Sequence, residues 1–134
     1  DLNKIFYYSD KKGNMRSQPQ RNVFSMIDGI MGGETDGPLV PEPKHCGILI
    51  AGDNPLAVDI VAIRLMGYDY RKLPLYSSFL KLKKWGILSP SEILDITVES
   101  NNSLYSNVIN NSTSKYLNFN PHIGWKNKIE FDIT

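Results

Sequence analysis

One segment constrains this chain more than any other: an apolar run, a polar turn and a second, longer apolar run over residues 47–67. Residues 48–51 are bounded by glycines and have the pattern of a strand that is covered on both faces. Asn54 then stands where a helix N-cap is expected, and Pro55 follows at the first helical position. Gly67 stands where a left-handed C-cap residue is needed. The segment therefore predicts a buried strand followed by a capped helix of about three turns.

The predicted helix carries one carboxylate, Asp59, among side chains that are almost all apolar. A helix that is apolar on every side belongs in an interior, and an unpaired buried charge is costly. We therefore expect Asp59 to be buried and to be paired, protonated or in use. Arg64 lies about 140° around the helix from Asp59, so it is not the natural partner. Two roles stay open: Asp59 holds a backbone N–H or a buried hydroxyl, or it serves a ligand or metal site.

Composition narrows the classes of function. The chain has 134 residues and a formal net charge of +1, which suits one domain with no general attraction to nucleic acid or anionic membranes. Its apolar runs fall short of the ~18 residues that span a bilayer. We therefore expect neither nucleic acid nor a membrane as a partner. Cys46 is the single cysteine, which excludes an internal disulfide and an iron–sulfur cluster held by this chain alone, and it favours the reducing cytoplasm.

The remaining sequence divides into short predicted elements. The spacing of apolar residues predicts a helix that begins at Leu2, a strand over residues 23–27 and a helix over residues 75–82. Ser89 to Glu92 resembles a capping box, which leads to a predicted strand over residues 93–98. Three further stretches are a shaped, Pro- and Gly-rich loop over residues 29–45, an Asn/Ser-rich loop over residues 100–118, and a docked tail over residues 120–130.

Strands followed by helices predict an α/β fold, a single domain with a small mixed or parallel sheet flanked by helices. Ligands in such sheets gather at the carboxyl ends of strands, and two of these ends carry an acid, Asp28 and Asp53. If the strands are parallel, these acids and Asp59 approach one rim, and the loop with Glu34 and Asp36 folds over them. If the strands are antiparallel, Asp28 and Asp53 lie at opposite ends.

Carboxylates that face one another suit a divalent cation such as magnesium or calcium, or an acid–base pair. The same residues also fit turn and packing roles, because Asp-Gly and Asp-Asn-Pro are common turn signals. The candidate metal ligands are Asp28, Asp53 and Asp59. The candidate ligand-binding residues are Asp28, Gly29, Glu34, Asp36, Gly37, Asp53, Asn54 and Asp59.

Several motifs, in this order and spacing, resemble one family. They are Ile27-Asp28-Gly29-Ile30, Gly33-Glu34 with Gly37-Pro38, Ala51 to Asp59, Leu65 to Asp69, and Phe119 to Lys126. Over roughly residues 1–130 the chain resembles the later half of bacterial proteins of the domain-of-unknown-function 362 family. Thr35 stands where members usually have glycine, and Asn54 where aspartate is frequent. The resemblance implies a fold and a candidate site, not an activity.

The resemblance also implies a longer bacterial protein, of which this chain is the C-terminal part. The expected partner is the N-terminal remainder of that protein or another domain. Some relatives carry iron–sulfur modules, which the single Cys46 excludes within this chain.

Two functions remain open at the level of sequence. In the first, the acids line a pocket for a ligand or a divalent cation, with Asp59 as the buried anchor and Glu34 or Asp36 as the mobile acid. In the second, the chain is a non-catalytic binding or assembly module, and the acids stabilise turns. Exposed aromatic side chains of that module contact another domain: Tyr68, Tyr70 and Trp85.

Overall fold

The computed structural model describes residues 2–79, 81–82, 85–106, 108–109 and 116–131. The residues so described form a single small domain of mixed α and β structure, which confirms the predicted fold class. None of the described helices is long and apolar enough to cross a membrane. The helices and strands are α1 (Leu2–Tyr8), β1 (Ser25–Asp36), β2 (Val40–Gly52), α2 (Pro55–Met66), α3 (Pro74–Phe79) and α4 (Pro90–Leu94), with 3₁₀ turns at Tyr70–Lys72 and Ser103–Tyr105.

β1 and β2 form an antiparallel hairpin in which Ser25 pairs with Gly52 and Asp36 pairs with Val40. This decides between the two strand arrangements that the sequence left open. The predicted loop over residues 29–45 is wrong, because most of it is strand. In the described part of the chain each strand is an edge of a two-stranded sheet. Edge strands tolerate the missing N–H of proline, so the prolines of this stretch are compatible with strand structure.

Two glycines that suggested a loop serve close packing instead. A Cβ at Gly29 would lie 2.8 Å from Cγ1 of Ile48, and a Cβ at Gly32 would lie 2.7 Å from Cζ of Phe119. The pairing register also shifts between Gly29 and Met31. These positions therefore let neighbouring side chains approach the backbone of β1, and a larger residue would push them away.

The predicted helix over residues 55–66 is confirmed together with both of its ends. Oδ1 of Asn54 accepts hydrogen bonds from the amides of Leu56 at 3.0 Å and Ala57 at 3.2 Å. Gly67 ends the helix with φ at 90°, in the left-handed region that favours glycine. Local cap chemistry therefore sets both boundaries of α2.

The core of the domain is built around α2. Ile60, at its middle, has no exposed surface. The inner face of the hairpin, with Ile48 and Ile50, packs against a cluster that contains Val61 and Leu65. Further clusters join the same helix to α4 and to the C-terminal segment. Burial of α2 thus holds together parts of the chain that are distant in sequence.

The capping box before α4 is confirmed, with Oγ of Ser89 accepting from the amide of Glu92 and the Ser89 amide donating to the Glu92 carboxylate. The predicted strand over residues 93–98 is wrong, because α4 continues to Leu94. Residues 96–100 belong to no helix or strand, and they pair with no strand in the part of the chain that the structure describes. The alternation of apolar and polar residues that suggested a strand is present, but no strand among the described residues pairs with this segment.

The predicted tail over residues 120–130 docks on the body of the domain. Tyr68 and Glu130 form an isolated antiparallel bridge, and Ile129 is buried. Trp125, by contrast, is exposed. Main-chain pairing and one aliphatic side chain therefore fix this segment, and the indole contributes less than expected.

Two other predicted elements agree only in part. The helix predicted over residues 75–82 is α3, which ends at Phe79. The Asn/Ser-rich loop predicted over residues 100–118 contains the 3₁₀ turn Ser103–Tyr105. Residues 107 and 110–115 of that loop lie outside the described residues.

We expect Asn54→Ala to lower the free energy of unfolding by about 0.5–2 kcal/mol, because the amides of Leu56 and Ala57 lose their acceptor. The substitution also removes a hydrogen bond of 3.0 Å from Nδ2 to the carbonyl of Ile87. Urea denaturation measures the change. Asn22→Ala, at an exposed position, is the control and should alter the free energy by less than about 0.5 kcal/mol. Equal losses in the two variants would contradict the assigned cap.

Thr35 adopts φ of 66°, a backbone conformation that a β-branched residue enters only with strain. Its N–H donates to the carbonyl of Asn120 at 2.9 Å, a bond that glycine keeps. We expect Thr35→Gly to raise the free energy of unfolding by about 0.5–1 kcal/mol, because relief of strain exceeds the entropy cost of glycine. Thr97→Gly, outside any helix or strand, should lower it by about the same amount. Thermal denaturation showing a loss at both positions would refute strain at Thr35.

Candidate functional site

The antiparallel hairpin separates acids that a parallel sheet would bring to one rim. Asp28 pairs with Leu49, and Glu34 pairs with Glu42. A strand rises ~3.4 Å per residue, so Asp28 and Glu34 lie about 20 Å apart along β1. Asp53 follows the last residue of β2, at the end of the hairpin away from Glu34. The predicted folding of the loop acids over Asp28 and Asp53 is therefore wrong.

The candidate metal ligands do not form a cation site. Across the described ranges, no group of three or more His, Cys, Asp or Glu side chains could hold a metal ion. Oδ1 of Asp28 accepts from the amide of Ile30 at 3.1 Å, a local contact within β1 at the shift in strand register. Asp53 is exposed just before the N-cap of α2. Asp53 therefore fits the turn role that the sequence also suggested, whereas Asp28 lies in a strand.

Glu34 has the most hydrogen bonds of the candidate carboxylates. Its Oε2 accepts from Nζ of Lys44 and from the amide of Asn120, both at 2.9 Å, and its Oε1 accepts from Nδ2 of Asn120 at 3.0 Å. Burial acts to raise the pKa of Glu34, but the hydrogen bonds from Asn120 and Lys44 outweigh it and hold this pKa below its usual value. Glu34 thus ties the hairpin to the C-terminal segment.

The partners of Glu34 were missed in the sequence. Lys44 lies on β2 opposite Gly32, diagonally across the hairpin from Glu34. Its Nζ also lies 5.3 Å from the ring centre of Phe119 and donates to the carbonyl of Asn118 at 3.1 Å. Only the strand register reveals this neighbourhood, so no pattern within a short stretch of sequence could have found it.

The other candidates at the tip of the hairpin are exposed. Oδ1 of Asp36 lies 3.8 Å from Nε2 of His122, and both side chains are largely in solvent, so this contact contributes little. Gly37 and Glu34 border a small cavity of about 180 Å³. Ligand pockets usually measure about 300–1,000 Å³. The tip therefore fits packing better than ligand binding.

The prediction that Asp59 is buried is wrong. Asp59 is exposed on α2, and its Oδ2 accepts a hydrogen bond of 3.3 Å from the hydroxyl of Tyr76. Partial desolvation raises the pKa of Asp59, whereas the Tyr76 hydroxyl acts to lower it. Burial, together with the charge of Asp59, raises the pKa of Tyr76 to about 12. Asp59 is the point where the apolar helix meets solvent, not the anchor of an interior pocket.

The buried carboxylate is Asp69, which the sequence reasoning did not select. Asp69 is only 4% exposed, and it accepts from the amide of Arg71 at 2.9 Å and from Nη2 of Arg71 at 2.7 Å. Burial acts to raise the pKa of Asp69, but the bonds from Arg71 lower it overall. Arg64 is also buried, with the centre of its guanidinium 3.2 Å from the ring centre of Phe131. The sequence signal for this buried carboxylate was the position of Asp69, shortly after Gly67 and two residues before Arg71.

The larger cavity measures about 870 Å³ and lies beside β2. Residues 46–54 form one wall, residues 96–102 form the other, and one face of α2 forms the floor. From the candidate set, Asp53 and Asn54 line it, and the charged side chains among its described lining residues are Asp53 and Glu99. The sequence located the first wall through the turn before α2. It missed the second wall, because residues 93–98 were expected to form a strand and residues 100–118 a loop.

The aromatic side chains assigned to contacts with another domain lie within the chain's own structure. Tyr68 is buried, and Tyr70 packs against the hydrophobic core. The indole N–H of Trp85 donates to the carbonyl of Arg16 at 3.0 Å. That assignment is therefore wrong for Tyr68, and the large exposed apolar side chains lie elsewhere, many of them on the hairpin.

Comparisons with known proteins add a family to this geometry. Searches of curated proteins and of solved structures find no match to the chain. A family model described as "Domain of unknown function (DUF362)" matches residues 1–64. The matched range includes the hairpin and most of α2, whereas the segment after Met66 lies beyond it. This match agrees with the resemblance seen in the motifs of the chain.

Proposed function

We propose that this chain is a non-catalytic binding and assembly module. The contacts of its carboxylates support this choice over a pocket lined by acids. Glu34 joins the hairpin to the C-terminal segment, Asp69 holds Arg71, and Glu92 closes a helix cap. Each accepts hydrogen bonds from amides or cations of the chain itself, so each has a structural role that leaves little capacity for a ligand.

The observation that carries the proposal is the outer face of the hairpin, where four exposed apolar side chains, Phe24, Met26, Ile30 and Leu49, lie around the exposed Asp28. The exposed fractions of these four side chains lie between 52% and 68%. The inner face of the same hairpin packs on α2. Exposed apolar side chains that gather on one face together with polar groups mark interaction sites on soluble proteins. The outer face therefore fits contact with another polypeptide surface.

The partner that we propose is another domain, or the N-terminal remainder of a longer bacterial protein. An apolar contact face fits a protein partner, and a net charge of +1 gives no reason to propose nucleic acid or a membrane surface. Cys46 is a free thiol, which fits the reducing cytoplasm, the location we propose.

A ligand site is the second candidate function, and the cavity beside β2 favours it. Its volume of about 870 Å³ falls in the range of ligand pockets. Asp53, Asn54 and Glu99 supply oxygen atoms along its wall, which would favour a cationic group. Glu34, at the far end of the hairpin, does not line this site.

If the acids are structural, Glu34→Gln should lower the free energy of unfolding by about 1–3 kcal/mol at pH 7, because hydrogen bonds to a charged acceptor are lost. Glu42→Gln is the matched control, since Glu42 pairs with Glu34 across the hairpin and is exposed. We expect it to change the free energy by less than about 0.5 kcal/mol. Urea denaturation of the three proteins measures both differences.

The pH dependence of this difference follows from the lowered pKa of Glu34. The folded state binds the proton of Glu34 less tightly than the unfolded chain does. The stabilisation is therefore fully present above the unfolded pKa of about 4.3 and is lost as the pH falls through the folded pKa. The gap between the parent chain and Glu34→Gln should shrink with falling pH. A gap that is constant from pH 7 to pH 3 would count against a structural carboxylate.

Oxidation of the native methionines tests the outer face. Met26 is 64% exposed, whereas Met15, in a different part of the fold, is 36% exposed. In the isolated chain we expect peroxide to oxidise Met26 faster than Met15, because the reaction follows exposure. Met31, which is 49% exposed, follows Ile30 of the outer face at the shift in strand register. In protein purified under native conditions together with any partner, a partner on the outer face should slow oxidation of Met26 and Met31 but not of Met15. Mass spectrometry of peptides measures each rate.

A pair of substitutions makes this test specific. Met26→Lys should leave the isolated chain as stable as before, within about 0.5 kcal/mol, and should remove the protection of Met31, because a lysine opposes burial. Leu75→Lys replaces an equally exposed side chain away from the hairpin and should leave that protection intact. If Met26 is oxidised at the same rate in both preparations, the outer face is not covered and the proposal fails.

A further inference from the structure

The cavity beside β2 is a slot between β2 and a segment that belongs to no helix or strand. One wall is β2 with the turn after it, and the other is residues 96–102. In the described part of the chain, no backbone hydrogen bond joins β2 to residues 96–100. We propose that this slot receives an extended polypeptide strand from outside the chain, which pairs with the open edge of β2. The slot is a different site from the outer face of the hairpin. The two sites share only Ile30 and Leu49, which belong to the outer face and also line the slot.

The lining of the slot points to a strand edge rather than to a sheet face. Side chains alternate between the two faces of a strand, so a cavity against one face is lined by every second residue. Here residues 46–54 line the cavity without interruption, and so do residues 96–102. Both walls thus present their backbones as well as their side chains, and an edge backbone is a template for pairing with another strand.

The floor of the slot is a surface on which strands already pack. It consists of Ala57, Val58, Val61 and Leu65, which share one face of α2. Ile48 and Ile50 of β2, and Ile96 and Val98 of the opposite wall, pack against the same core cluster as Val61 and Leu65. Neighbouring strands lie about 4.8 Å apart, so a strand that pairs with β2 on this side would lie over the same face of α2.

The charges of the lining residues define the chemistry of the strand. The described lining residues carry two acids, Asp53 near the end of β2 and Glu99 on the opposite wall, and no Lys or Arg. The floor accepts aliphatic side chains. The strand that fits is therefore one in which aliphatic residues face α2 and lysine or arginine residues face outward. Its paired length matches residues 46–52, about 23 Å at ~3.3 Å per residue.

The experiment titrates the isolated chain with a fluorescein-labelled, capped seven-residue peptide in which lysine alternates with valine. Fluorescence anisotropy should show saturable binding. Methylation of alternate peptide nitrogens removes the donors for strand pairing and should weaken binding by about tenfold or more. Hydrogen exchange should show protection over residues 46–52 and 96–100 when the unmethylated peptide is bound. Equal binding of the methylated peptide, or protection elsewhere, would overturn the proposal.

Variants on α2 distinguish peptide binding in the slot from non-specific binding. Ala57 lies on the floor, and Ala57→Phe should fill the slot and weaken peptide binding by about tenfold or more. Ala62→Phe makes the same change on the same helix away from the lining residues and should leave binding unchanged. Thermal denaturation checks that both variants fold. If either fails to fold, the comparison moves to Asp53→Asn with Glu99→Gln, which should weaken binding by about threefold at low salt and less at high salt.

Further measurements test a second copy of this chain as the occupant of the slot and distinguish the slot from the proposed assembly face. Sedimentation velocity tests a second copy of this chain, and a dimer that protects residues 46–52 and resists the peptide would overturn the proposal. Met26→Lys changes the outer face but not the slot, so peptide binding should survive it. Failure of the methionine test with intact peptide binding would reject the assembly face alone, and the reverse pattern would reject the strand slot alone.

Discussion

Burial of α2 is the interaction on which the other contacts of the fold depend. Its side chains pack against the hairpin, against α4 and against the C-terminal segment that contains Ile129. The carbonyl groups of Leu65 and Met66, at its C-terminal end, accept hydrogen bonds from the amides of Leu117 at 2.7 Å and Phe119 at 2.9 Å. Because these segments meet at one helix, a weakened helix end loosens contacts far from it in sequence.

How far the sequence predicts this fold depends on the range of the interactions. The ends of α2 were predictable because an N-cap, an N1 proline and a left-handed glycine act within a few residues. The hairpin over residues 29–45 was not, because prolines and glycines signal a loop unless the strand is known to be an edge. The resemblance to the family implied glycine where this chain has Thr35, and the φ of 66° at Thr35 agrees with that expectation.

The candidate site shows the same division between local and distant effects. The chemistry of Asp59 was inferred from the composition of its helix, but the helix leaves one position open to solvent. Asp69 holds the buried carboxylate instead, and its partner Arg71 lies only two residues away. The contacts of Glu34 depend on strand register and on a segment 86 residues later, at Asn120. Sequence patterns identify candidate carboxylates, whereas the strand register decides which of them lie close together.

The hairpin has more surface than one helix can cover. Two strands alone are marginally stable, and α2 supplies burial for one face only. The outer face then exposes side chains such as Met26, and the edge of β2 exposes backbone groups. The outer face and the edge of β2 would bind different partners. A partner on the outer face buries apolar surface, whereas a partner at the edge of β2 forms backbone hydrogen bonds. Apolar burial depends little on salt, whereas a slot bordered by Asp53 and Glu99 selects a basic strand through screened charges. The salt dependence of an interaction therefore reveals whether a partner binds the outer face or the slot.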